Sequence, residues 1–192
     1  MKLKILLLII FLAMAIAANA QGIAIGTAAE NFALPDLDGK VQMLNQLKGR
    51  NGTVVIFLSA QCPVVKAYKD RINQIAAESQ AKGINLVGIN SNANESLASL
   101  RSNASAFGYR FPVLIDKNNK LADKLDARTA PEVFFIDREN VLLYHGAIDS
   151  DYTGRSIAEK YLGAALDASL AGRPITKTSA PPFGCTIRRV AR

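Results

Sequence analysis

Residues 54–68 of this 192-residue chain read Val54-Val55-Ile56-Phe57-Leu58-Ser59-Ala60-Gln61-Cys62-Pro63-Val64-Val65-Lys66-Ala67-Tyr68. The five apolar residues at the start predict a short buried strand. A small polar turn separates this strand from Cys62, and Pro63 stands where a helix has its first residue. The pattern therefore predicts one cysteine at the amino end of a helix, just beyond the carboxyl end of a strand.

The predicted position of Cys62 favours a reactive thiol. Backbone N–H groups and the positive end of a helix dipole stabilise a thiolate there. A free cysteine has a pKa near ~8.5, and helix amino ends lower it to roughly 3.5–7.5. The competing interpretation is a buried, inert thiol, because free cysteine is among the most buried residue types.

The other segments alternate between strands and helices. We expect a hairpin turning at Asp38-Gly39, then a helix over 63–82 and a strand over 84–90. A second helix, capped by Asn94 and ending at Phe107, should precede a strand over 113–115 and a helix over 121–125. The last elements are strands over 132–136 and 141–145 and a helix over 157–171. This order predicts an α/β protein with a central mixed sheet flanked by helices on both faces.

The first 20 residues predict a cleaved signal peptide. Lys2 and Lys4 give a positive start, residues 5–17 are almost entirely apolar, and Ala18-Asn19-Ala20 has the small residues of a cleavage site. The alternative is a retained membrane anchor, but the apolar run is short for a span and no second stop signal follows. We expect an exported protein, periplasmic or secreted, with no membrane span after cleavage.

The mature chain is expected to form one domain over 21–175, followed by an extended tail over 176–192 that carries Cys185. The formal net charge is +7, but the basic residues are scattered and no aromatic ladder accompanies them, which argues against nucleic-acid binding. Cys62 and the single histidine, His145, fall short of any metal-ligand spacing. We therefore expect no metal and no other cofactor.

Two further motifs carry a resemblance. Thr129-Ala130-Pro131 stands immediately before a buried strand, and Phe134-Phe135-Ile136-Asp137 leads into a turn. With the cysteine segment, they resemble the thioredoxin-like fold of the redoxin superfamily, in its alkyl hydroperoxide reductase and thiol-specific antioxidant group. A peroxiredoxin-like branch with a C-terminal Gly-Cys tail is similar in more segments, namely 62–68, 88–92, 144–149, 166–174 and 184–188.

The resemblance implies an exported thiol oxidoreductase. Cys62 would be the attacking thiolate and Cys185 the resolving thiol on a mobile tail. The substrate would be a peroxide or a disulfide, and a reducing thiol protein is a possible partner. Pro131 would follow a cis peptide bond, and with Pro63 and Ala130 it would shape the docking surface for the substrate.

Departures from the related families bear on the activity. Val65 stands where a thioredoxin has its second cysteine, so a local disulfide switch is excluded. Val55 replaces the proline that typical peroxiredoxins carry before the cysteine, while Ser59 supplies a hydroxyl that would stabilise the thiolate. Arg128 is the best candidate for the arginine that activates peroxide, and His145 stands where relatives often have arginine. We expect modest peroxide reduction that depends on the first cysteine.

Three interpretations of Cys185 remain open at the level of sequence. In the first it resolves an oxidised Cys62, in the second it forms a permanent bridge with Cys62, and in the third it is unpaired or bonded to another chain. A permanent bridge would stabilise the fold by at most about 4–5 kcal/mol. The rival to an enzyme is accordingly a non-catalytic binding or stability module on a redoxin scaffold, held by a structural Cys62–Cys185 disulfide.

Overall fold

The computed structural model of the protein describes residues 22–191, and the predicted signal peptide over 1–20 lies outside them. The strands are β1 (Ala33–Pro35), β2 (Val41–Met43), β3 (Gly52–Leu58), β4 (Ile84–Asn90), β5 (Val113–Ile115), β6 (Thr129–Ala130), β7 (Glu132–Ile136), β8 (Leu142–Gly146), β9 (Ser179–Ala180) and β10 (Cys185–Thr186). The helices are α1 (Leu44–Leu47), α2 (Pro63–Ala81), α3 (Leu97–Phe107), α4 (Lys120–Leu125) and α5 (Tyr161–Leu170).

A six-stranded mixed sheet forms the centre of the fold, in the order β5-β4-β3-β7-β8-β9. β4 runs parallel to β3 and β5, whereas β7 is antiparallel to β3 and β8. β1 and β2 form a separate hairpin, and β6 pairs with β10 away from the main sheet. The predicted α/β, thioredoxin-like architecture is confirmed.

β3 supplies side chains to two hydrophobic clusters, one on each face of the sheet. Val54 and Ile56 belong to one cluster with residues of α2 and α5. Val55 and Phe57 point to the other face and pack with residues of α1 and α4. This alternation follows from the two-residue period of a strand. It explains why residues 54–58 of β3 are all apolar, since helices cover the strand on both faces.

Two helix starts differ from the sequence prediction by two residues or more. α3 begins after Ser96, whose hydroxyl accepts a hydrogen bond from the Ser99 N–H at 3.2 Å, so the cap is Ser96 and not Asn94. α5 begins at Tyr161, because the N–H groups of Ala158 and Glu159 donate to the Ser150 hydroxyl instead of starting a helix. None of the helices within residues 22–191 combines the length and the apolar character that a membrane crossing requires.

Candidate functional site

Cys62 lies at the junction predicted from the sequence. β3 ends at Leu58, Cys62 is the N-cap residue of α2, and Pro63 is the first helical residue. The Cys62 carbonyl accepts the first helical hydrogen bond from the Lys66 N–H at 3.1 Å. The residue is only 3% exposed, and its sulfur lies 3.2 Å from the carbonyl oxygen of Ala130. The site thus joins a helix amino end to the segment before Pro131.

Cys62 and Cys185 form a disulfide across 123 positions of sequence. Their Cα atoms are 5.9 Å apart, within the usual range for a bridged pair. Of the three interpretations of Cys185, the structure therefore supports a pairing with Cys62. Both a resolving thiol and a permanent staple form this bond.

The residues before Pro131 form a short strand that the tail completes. The Ala130–Pro131 peptide bond is cis, as the resemblance implied. β10 pairs antiparallel with β6, so that Cys185 lies opposite Ala130. Gly184 packs directly on this segment, because a Cβ atom built at Gly184 would lie 2.4 Å from the Ala130 carbonyl oxygen. The predicted docking residue Ala130 is thus covered by the protein's own tail.

Hydrogen bonds connect the tail to the rest of the fold on both sides of Cys185. Before it, β9 joins the edge of the main sheet beside β8. After it, the Ile187 N–H donates to the Arg128 carbonyl at 2.9 Å, and the Val190 N–H donates to the Asn119 side-chain oxygen at 2.7 Å. The Ile187 side chain is 3% exposed and belongs to the core. Cys185 is therefore positioned by noncovalent contacts as well as by the disulfide.

Glu95 organises the loop before Cys62. This residue was not among the site residues predicted from the sequence. Its carboxylate accepts hydrogen bonds from the Ser59 hydroxyl at 2.5 Å, the Ala60 N–H at 3.0 Å and the Gln61 N–H at 3.1 Å. The Asn90 amide adds a fourth at 2.6 Å. A signal was present in the sequence, because polar residues just after β4 lie at the same sheet edge as the end of β3. Carboxyl ends of parallel strands meet there.

Ser59 and Arg128, predicted to assist the sulfur, have other partners in the disulfide form. The Ser59 hydroxyl hydrogen is directed at Glu95. The Arg128 side chain is 77% exposed and makes two hydrogen bonds of 3.0 Å with the Asp126 carboxylate, which raise the pKa of the guanidinium. Their roles toward a Cys62 thiolate stay predictions.

A cavity of about 380 Å³ opens beside the disulfide. Both cysteines border it, together with Gln61, Asn94, Glu95 and Arg188. Cys185 is the more accessible of the two, because it is half-buried whereas Cys62 is buried. The lining is mostly polar, so the cavity suits a small hydrated molecule better than an apolar one.

His145, considered above for a metal site, is stacked on Phe134 with the ring centres 5.8 Å apart. In the described part of the chain, residues 22–191, no three His, Cys, Asp or Glu side chains are grouped as metal ligands would be.

Comparison with known proteins gives one family and several similar chains. The AhpC/TSA family matches residues 25–145. Thiol-disulfide oxidoreductase ResA of Bacillus subtilis (strain 168) is 30% identical over 126 residues, which are 65% of this chain and 68% of that protein.

Two solved structures are similar over more of the chain. Hypothetical protein SMc02350 from Sinorhizobium meliloti 1021 is 33% identical with a TM-score of 0.81, and the match covers 90% of this chain and 98% of that one. An uncharacterized conserved protein from Geobacillus kaustophilus is 32% identical with a TM-score of 0.81, covering 88% and 94%. Both matches extend well beyond the residues that the family match covers.

Proposed function

The chain belongs to the AhpC/TSA family, and from that premise we propose that it is a thiol-disulfide oxidoreductase whose redox couple is Cys62 and Cys185. The observation that carries the proposal is the disulfide between these residues, formed at the amino end of α2 and beside the segment before Pro131. The similarity to a thiol-disulfide oxidoreductase supports the same chemistry.

The reaction is a two-electron exchange between this couple and an external thiol or disulfide. When an external thiol is oxidised, its electrons reduce the Cys62–Cys185 bond to two thiols. When an external disulfide is reduced, the two thiols close to the bond again. The amino end of α2 stabilises the Cys62 thiolate during these steps, because helix N–H groups and the helix dipole favour negative charge.

The contacts of the tail favour a redox couple over the structural staple. Ile187 and Val190 are held by hydrogen bonds that do not involve the disulfide. Opening the bond therefore leaves Cys185 near Cys62, and the bond can form again without a search through many conformations. A neighbouring thiol has a high effective concentration for such a step.

Peroxide reduction stays a prediction. The hydroxyl of Ser59 donates to Glu95, and Arg128 pairs with Asp126, so neither supports the sulfur in the disulfide form. Mass spectrometry after one equivalent of peroxide tests this activity. New sulfenic acid or disulfide at Cys62 in the reduced protein supports it, and unchanged protein contradicts it.

Export is part of the proposal and rests on the sequence of residues 1–20. The charged start, the apolar run and the small-residue cleavage site support it. Amino-terminal analysis of the protein released from the cytoplasm tests it. A new terminus at Gln21 is expected, and retention of residues 1–20 on a cytoplasmic protein would contradict it.

Thiol-disulfide exchange between glutathione and a small disulfide tests the catalytic proposal. The protein should accelerate the exchange over many turnovers, whereas Cys62→Ser and Cys185→Ser should each lose this acceleration. A variant with both replacements gives the background rate. If the unaltered protein is no faster than the double variant, the non-catalytic module is the better description.

A further inference from the structure

The two cysteine residues of the couple differ in solvent exposure. Cys62 is 3% exposed and lies under the tail, against Ala130. Cys185 is half-buried, and both residues border the polar cavity. A thiol-disulfide exchange depends on which sulfur an incoming thiolate can approach. The fold therefore restricts the direction from which an external thiolate can reach the disulfide.

The strand edge beside Pro131 is already occupied. β10 takes up the edge of β6 that an extended polypeptide would use for strand addition. Gly184 lies so close to the Ala130 carbonyl that any side chain there would push the tail away. Because Ile187 holds the tail further along, a polypeptide substrate would have to displace several contacts at once.

We propose that the external partner exchanges with Cys185, not with Cys62, and that this partner is a small polar thiol or disulfide that enters the cavity. The proposal rests on the function proposed above and narrows its substrate class. It also reverses the roles implied by the family resemblance, since Cys62 becomes the buried sulfur that leaves and returns.

The exchange balances with two molecules of a small thiol. The thiolate of the first attacks the Cys185 sulfur, the bond to Cys62 breaks, and its electron pair stays on Cys62 as a thiolate. A second thiolate attacks the external sulfur of the mixed disulfide, which frees Cys185 and forms the external disulfide. The protons of the two thiols pass through solvent to the protein thiols according to pH.

The position of Cys62 favours this order of steps. A sulfur with a lower pKa is the better leaving group in disulfide exchange. Cys62 lies at the amino end of α2, where helix N–H groups favour a thiolate, whereas Cys185 lies on a two-residue strand without a helix dipole. Attack at Cys185 therefore expels the more stable thiolate.

The test compares two single variants with oxidised glutathione as the probe. Reduced Cys62→Ser and Cys185→Ser are each mixed with the probe, and intact mass follows the glutathione adduct. Rates are compared at the high-pH plateau where each remaining thiol is ionised. Cys62→Ser, which keeps Cys185, should form its adduct at least about tenfold faster than Cys185→Ser. The second variant keeps only Cys62, which reacts only when the tail opens. Equal rates, or a faster Cys185→Ser, would overturn the assignment.

A second measurement asks whether the tail is what protects Cys62. In the Cys185→Ser background, Gly184→Ala should raise the rate at Cys62 severalfold by pushing the tail from Ala130. Gly163→Ala is the matched control, because its new methyl group would meet only Lys160 at 3.7 Å and lies in α5. An unchanged rate with Gly184→Ala, or an equal rise with Gly163→Ala, would contradict the protection.

Different results would contradict the redox function of the disulfide and the assignment of Cys185 as the exchanging sulfur. If glutathione and dithiothreitol both leave the disulfide of the unaltered protein intact, the redox function fails. The adduct rates of the single variants still decide which sulfur is the accessible one.

Discussion

The segments that carry the two cysteines are positioned by different means. Cys62 follows a buried strand and precedes Pro63, so short-range sequence determines its place at the start of α2. Cys185 lies in a segment with no regular pattern, and contacts with distant residues such as Ala130 and Asn119 hold it. One half of this site is thus encoded locally, and the other half exists only in the folded protein.

The two kinds of positioning respond differently when the fold loosens locally. A local pair of cysteines on one helix stays together even when the rest of the fold is disturbed. Here contacts between distant segments hold Cys185 beside Cys62, so that loosening of the tail should change the exchange chemistry.

The largest effect should come from removing the covalent link between the regions. Cys185→Ser should lower the free energy of unfolding by up to about 4–5 kcal/mol, because the disulfide restricts a long loop of the unfolded chain. Denaturant unfolding measures the loss. The unaltered protein in excess reductant should lose the same amount, and an undiminished stability in both samples would contradict the prediction.

The next largest effect should come from a change in the tail that keeps both cysteines. Ile187→Ala should lower the free energy of unfolding by about 2–5 kcal/mol, because the side chain is buried in the core. Hydrogen exchange at the Ala93 N–H, which donates to the Arg188 carbonyl, should speed up in the reduced variant.

Ile187→Val is the control for that change. It removes a single methylene group and should cost about 0.5–1.5 kcal/mol. If Ile187→Ala leaves exchange at Ala93 unchanged, the tail is held elsewhere and the comparison of the two regions is wrong.

A smaller effect should come from Glu95, which holds the loop before Cys62. Glu95→Ala should lower the free energy of unfolding by about 1–3 kcal/mol, because the N–H groups of Ala60 and Gln61 lose their acceptor. Glu95→Gln keeps one oxygen and should cost less. Equal stability of Glu95→Ala and the unaltered protein would mean that water replaces the carboxylate without loss.

The smallest effect concerns a loop away from both cysteines. The Thr153 hydroxyl, followed by the Ser156 N–H, lowers the pKa of Asp151 to about 2. Because this is below the unfolded pKa of about 3.9, the stabilising contribution is present above pH ~4 and is lost as the pH falls toward 2.

Hydrogen exchange of the loop over 151–156, measured between pH 4 and pH 2, tests this after correction for the intrinsic rates. The loop should lose protection in the unaltered protein, and Asp151→Asn should remove the pH dependence. If the two proteins show the same dependence, another group is responsible.

Sequence reasoning predicted the parts of the fold that local pattern determines. The strand over 53–58, the helix after Cys62 and the segment around Pro131 follow from apolar runs, from proline and from family resemblance. The distance to Cys185 was not predictable, because no local pattern encodes a contact across 123 positions. Glu95 is different, because its position just after β4 places it at the sheet edge where β3 also ends, although the sequence alone does not specify its partner Ser59.

The most direct test of the redox couple is a titration of the folded protein in glutathione buffers of increasing reducing strength, with alkylation and intact mass as the readout. We predict one reversible two-electron transition between the Cys62–Cys185 disulfide and two thiols, while the circular dichroism of the protein is unchanged. A bond that stays closed in excess reductant until the protein unfolds would contradict the account and identify a structural disulfide.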